Sequence, residues 1–248
     1  MKKYEFTGET KQINLLFRTA TLHRIRAVVE FGLVKIGDLG GWIEKEENLS
    51  HDGKAWVWDN AEVWDNAEVC GDAKVCGDAE VCGDAEVWDN AKVWGNAKVC
   101  GDAEVCGDAK VWDNAKVCGD AEVWDNAKVC GDAEVWDNAE VCGDAKVCGD
   151  AEVWDNAKVC GDAEVFSASH VLVIGAIGSR NDFTTFFRDK DGEITVKCGC
   201  FLGKIDRFLE KVASTHGNSK YALVYRAAVE VAKLQIDLTG EAPEMDEE

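Results

Sequence analysis

From Ala55 to Asp162 the apolar and polar positions follow a strict period of six. Each module reads Ala, a charged residue, Val, then Trp or Cys, then a pair drawn from Gly, Asp and Asn. The departures are Trp56 at the charged position and the mixed module around Trp94, Gly95 and Asn96. Ala and Val alternate with the charged side chain, a period of two, so this part is a short strand with Ala and Val facing inward. Gly, Asp and Asn tolerate positive φ, so the closing pair forms a corner. A corner every six residues excludes a flat sheet or a helix and predicts a solenoid with three modules per coil. Eighteen modules make six coils, about 29 Å tall at ~4.8 Å per coil.

Each coil buries three Val and three Ala, at about 1.5 kcal/mol or more per Val. So narrow a core cannot stabilise one coil alone, and its open ends need caps. The predicted layout has a β-rich N-terminal cap over 1–54, the repeat over 55–165, a C-terminal α+β domain over 166–240 and an acidic disordered tail over 241–248. The first flank carries the β-rich run "LLFRTATLHRIRAVVEF". In the second, "HVLVIGAIGS", "DFTTFFRD" and "EITVKCGCFLG" read as three strands, with "DKDGE" as a hairpin turn. "KIDRFLEKVAST" and "SKYALVYRAAVEVAKLQI" have helical spacing.

The modules resemble the hexapeptide-repeat left-handed β-helix, in which an aliphatic residue is followed four positions on by a small one, as Val75 is by Ala79. The left hand is implied by this resemblance alone. The segment from "KIGDLGGWIEKEENLS" into "WVWDNA" resembles the N-terminus of an uncharacterised bacterial and prophage family of such solenoids. The C-terminal part resembles segments attached to repeat proteins in phage-related genomes. These resemblances imply a mainly β fold and no activity.

Charge narrows the partners. The formal net charge is −21, with 48 acidic against 27 basic residues. Such a chain repels nucleic-acid backbones and anionic membranes and favours cations, basic proteins or a site that normally receives DNA. No run approaches the ~20 apolar residues of a membrane span, and no secretory signal is read in "MKKYEFTGET". Ten of the twelve cysteines occupy one repeat position, which reads as a reduced, cytoplasmic protein rather than a secreted disulfide scaffold.

Candidate chemistry is sparse. The related acyltransferases use a histidine base, but His23, His51, His170 and His216 all lie outside the modules, so no catalytic residue is assigned. Cysteines 18 apart, such as Cys82, Cys100 and Cys118, or Cys130 with Cys148 and Cys142 with Cys160, would stack within disulfide range; small half-buried corner residues are the expected reading. The spacing for a zinc site is missing, the corner aspartates read as turn residues rather than Ca²⁺ ligands, and no metal or cofactor is expected. "CGC" at Cys198 and Cys200 followed by His216 is a weak metal hint. Trp modules continue "DN" or "GN" and Cys modules "GD", two cassettes whose indoles point outward or lie flat along the corners.

The charged position carries the clearest order. Every eighteenth residue gives a lysine row, Lys74, Lys92, Lys110, Lys128 and Lys146, and a glutamate row, Glu68, Glu86, Glu104, Glu122 and Glu140, ended by Lys158. The third row is mixed: Glu62, Glu80, Lys98, Lys116, Glu134 and Glu152. These rows predict a non-enzymatic scaffold that self-associates, lysine face on glutamate face as in a cyclic trimer, or docks a protein partner. An acidic DNA mimic is the alternative, since the modules hold 8 Lys against 9 Glu and 17 Asp, a net −18; an acyltransferase is the second. Ser179, Arg180, Asn181 and Asp182 form a candidate polar turn for a phosphate or carboxylate, with Arg188, His216 and Tyr221 as further polar candidates.

Overall fold

A computed structural model of the chain describes residues 2–240, so the acidic tail expected at 241–248 lies outside the described residues. The molecule is a mainly β solenoid of about seven turns with a sheet and two helices at its C-terminal end. Three parallel sheets form the walls of a triangular prism, and each charged-position row runs up one wall. Lys74, Lys92, Lys110, Lys128 and Lys146 pair in register on one sheet. Glu68, Glu86, Glu104, Glu122 and Glu140 do so on the second, and the mixed row occupies the third. The repeat's Val and Ala residues are 0 % exposed and form one continuous core.

The walls hold because the backbone donors at the second, fourth and sixth positions of a module find acceptors one coil further on. Cys82 N donates to Val99 O (3.0 Å), Asp84 N to Gly101 O (2.8 Å) and Glu86 N to Ala103 O (2.9 Å), and the pattern recurs up the stack. The fifth position of every module is left-handed, Gly at φ 64–76° or Asp at φ 52–60°. At Gly83 a Cβ would meet Gly101 O at 2.8 Å, a close approach that favours glycine. Where Asp takes the corner its carboxylate can serve the coil above: Asp59 accepts from Gly77 N (3.3 Å) and Asp113 from Gly131 N (3.2 Å).

The stack begins before the strict repeat. Strands β1 (Tyr4–Asn14) and β2 (Thr19–Ala27) form an antiparallel hairpin, and β2 pairs with β3 (Leu39–Ile43). β3 lies parallel beneath Glu62–Val63, so Ile43 stacks under Val63, Leu49 under Val69 and Val57 under Val75. These residues make an imperfect first coil, two residues longer than the others between Leu49 and Val57. Trp56, the one uncharged second position, is 1 % exposed. It sits among Tyr4, Phe31 and Trp58, with ring centroids 6.2, 5.4 and 6.4 Å away. An indole there closes the lower end of the core.

The upper end is closed by an antiparallel sheet of four strands, Val171–Ile177, Asp182–Arg188, Ile194–Cys198 and Phe201–Lys204. The three-strand expectation is corrected because Gly199, at φ 56°, turns the chain back between Cys198 and Phe201. By strand alternation Val171, Val173 and Phe187 cover the Val/Ala core while Phe186, Ile194 and Val196 face α1 (Ile205–His216) and α2 (Lys220–Gln235). Arg188 is buried at the junction, 3.6 Å from Glu164 and over the Phe166 ring; its role is to pin the sheet to the last coil. Asp189 anchors the hairpin after it, accepting from Thr195 Oγ1 (2.6 Å) and Lys204 Nζ. Burial raises its pKa, but the donors outweigh burial and hold it below the usual carboxylate range.

Candidate functional surfaces

The three walls differ in how their charges are satisfied. On the mixed wall Lys98 pairs with Glu80 (2.8 Å), Lys116 with Glu134 (2.7 Å) and Lys11 of β1 with Glu62 (2.6 Å). At the top of the other two walls Lys146 pairs with Glu164 (3.1 Å), and Glu140 with Lys158. Lys146 and Glu140, both predicted for docking, are therefore engaged within the chain. No ion pair among the described residues engages Glu68, Glu86, Glu104 or Glu122. Burial, then the stacked Glu140 and Glu104, raise the pKa of Glu122. In-register like charges repel, and here the repulsion is left in place.

The lysine wall is not flat. The loop around Gly32, Leu33 and Val34 overhangs its lower half and encloses a cavity of about 400 Å³ with Trp58, Lys74, Lys92 and Lys110 on its lining. Lys54 spans its edge to Asp72 (2.8 Å). Leu33 is 76 % exposed, so the rim is apolar where the floor is basic.

At the corners the structure departs from the expected picture of separate thiols, while the indoles take the flatter of their two expected placements. Cys130 is disulfide-bonded to Cys148 and Cys142 to Cys160, with Cα separations of 4.5 and 4.6 Å. The coil step brings stacked cysteines within bonding range, which outweighs the reading of ten inert corner residues. Cys82, Cys100 and Cys118 stack as free thiols on another corner. A hydrogen bond from Cys100 lowers the pKa of Cys82, whereas that of Cys118 is raised by the same neighbour. The indoles mostly lie over the corners: Trp94 stacks on Trp112 at 5.0 Å and Trp136 on Trp154 at 5.9 Å. Of the eight, Trp154 alone is largely exposed.

The histidines do different jobs. His23 stacks on Phe6, and His51 lies tilted against Tyr4 with ring centroids 4.4 Å apart. His170 Nδ1 accepts from Phe166 N (3.0 Å), and burial lowers its pKa. Those three are held by packing, while His216 lines a cavity in the C-terminal domain. That cavity collects Ser179 and Arg180 from the predicted polar turn, and Cys198, Cys200 and His216 from the "CGC" reading. Asn181, at φ 53°, and Asp182, whose carboxylate accepts from Phe183 N (2.8 Å), shape the turn outside it. Tyr221 sits 6.0 Å from His216. Sequence reasoning missed Phe208, Lys211 and Tyr225 on the lining; the one signal available was their position on helices that must pack on the sheet. Among the described residues no group of three or more His, Cys, Asp or Glu is arranged to hold a metal ion, and no helix is long and apolar enough to cross a membrane.

No family model matches the chain, and no curated protein matches it.

Proposed function

We propose that the chain is a non-enzymatic scaffold whose glutamate wall docks a cationic surface, the lysine wall of a second copy being the partner that fits it. The observation that carries this reading is the run of four in-register glutamates without an ion pair among the described residues, on a molecule whose mixed wall forms ion pairs between its own coils. Lysines at the same coil step, where the loop at Gly32 to Val34 leaves their ammonium groups within reach, would relieve that repulsion. The two walls are different patches, so the contact is heterologous and closes when the rotation between copies permits; three prisms in a ring is the expected closure.

Light scattering of the purified chain at low ionic strength should give a mass near three times 27.1 kDa. Raising NaCl to about 0.5 M, where screening acts within a few ångström, should dissociate it. The variant Lys74→Glu, Lys92→Glu, Lys110→Glu, Lys128→Glu should be monomeric and folded by circular dichroism. A folded variant that keeps the wild-type oligomeric mass removes the proposal, as does a wild-type chain that stays monomeric at every concentration.

A further inference from the structure

The C-terminal domain holds a cavity that the scaffold reading leaves unused. Its volume is about 280 Å³, room for a compact ligand. Segments far apart in sequence build it: the turn after Ile177, the Cys198–Phe201 hairpin, α1 and the start of α2. The floor is aromatic, with Phe208 5.3 Å from Phe201 and 5.5 Å edge-on to Tyr225. The Tyr225 hydroxyl is packed against Gly178, where a Cβ would lie 1.8 Å from the phenolic oxygen. Burial first, then Cys198, pushes its pKa up to about 12, so it remains a neutral phenol facing the thiol.

The rim is basic. The Arg180 guanidinium lies over Gly199, where a Cβ would meet Nη1 at 2.4 Å. Lys211 stands one helical turn before Thr215, and His216 is 5.8 Å from Tyr225. Neither Arg180 nor Lys211 forms an ion pair among the described residues, in a chain with 48 acidic side chains available to pair with them. Two cations without an ion pair among the described residues, beside an apolar, aromatic-floored hollow, are complementary to a ligand with one charged end and one greasy end.

We propose that this cavity binds a small amphiphilic anion, an aromatic or aliphatic body seated on Phe201 and Phe208 with a phosphate or carboxylate held by Arg180 and Lys211. The planar guanidinium fork suits either head group through paired hydrogen bonds, and the ammonium adds a second positive charge. The ring faces supply contact area for the body.

Calorimetric titration of the full chain with phenyl phosphate, benzoate and inorganic phosphate tests this. Phenyl phosphate or benzoate should bind at least tenfold more tightly than inorganic phosphate, the tighter of the two identifying the head group. Arg180→Met should weaken that binding at least tenfold while leaving the melting temperature within a few degrees. Thr215→Trp, a bulky exposed residue placed at the mouth, should abolish binding without touching either cation. The proposal fails if neither aromatic anion binds at millimolar concentration, if inorganic phosphate binds as tightly, or if either variant binds like the wild type.

Discussion

Lys3 is an ammonium from which the fold has removed most of its water. It is 3 % exposed, and its Nζ donates to Ala55 O at 2.8 Å and Asp52 O at 3.4 Å. Burial lowers its pKa to about 8 from 10.5, partly opposed by Asp52 and Asp72. Between those two values the unfolded chain holds more protons than the folded one, so this group makes stability rise with pH from about 8 to 10.5. Chemical denaturation across that window should show wild-type midpoints climbing relative to Lys3→Met, whose side chain has a similar length and no charge. Parallel profiles for the two chains would mean that Lys3 carries no desolvation cost. At this scale the sequence was most legible where it broke its own rule. Trp56 stood out as the one indole at a charged position, and it proved to be the residue on which the lower end of the core closes. Lys3 gave no such sign, because burying it takes β1 crossing the first coil, and no local pattern encodes that crossing.

The coil is the element that matters, and its strength is uneven along the stack. Coils between Asp59 and Asp120 are joined by backbone ladders and side-chain contacts, while the upper coils carry covalent links at Cys130–Cys148 and Cys142–Cys160. Each link closes a loop of 18 residues, for which chain entropy gives about 3 kcal/mol of stabilisation. Full reduction should therefore lower the thermal midpoint and speed amide exchange first at residues 127–165, with exchange below Asp120 little changed. Alkylation without reduction, followed by peptide mass mapping, checks the links directly: four unmodified cysteines are expected among the twelve. The period of six revealed which cysteines stack, because 18 residues make one turn. It did not reveal which stacked pairs bond, since that depends on sub-ångström side-chain placement that all the columns share in sequence terms. The two helices were legible from their spacing, whereas the fourth C-terminal strand was hidden because a single glycine, Gly199, reverses a run that reads as continuous.

As a whole the molecule is a rod whose cross-section repeats and whose ends do not. Removing one full coil, residues 91–108, would keep every charge row, every Val column and both caps in register. Removing only residues 91–96 would turn the later coils and the C-terminal sheet together by one wall, so Arg188–Glu164 and Lys190–Asp162 would survive while Lys110, Lys128 and Lys146 would follow Glu68 and Glu86 on one wall. Both deletions should melt cooperatively within several degrees of the full chain by circular dichroism; only the second, with its charge rows broken, should lose the oligomer in light scattering. The same oligomeric mass from both would show that the order of the charge rows does not set the contact between copies. The walls could be sorted from the sequence alone because the repeat makes position along the chain equivalent to position on a face. The C-terminal cavity could not, because Arg180, Phe201, Lys211 and Tyr225 meet only after a sheet and two helices have packed.

The evenly stepped glutamate column has a kinetic corollary. A partner that grips two adjacent carboxylates meets three equivalent footholds among Glu68, Glu86, Glu104 and Glu122, each one coil from the next. Such a partner gains a statistical factor of about three over a single foothold, and it can shift along the rod without letting go.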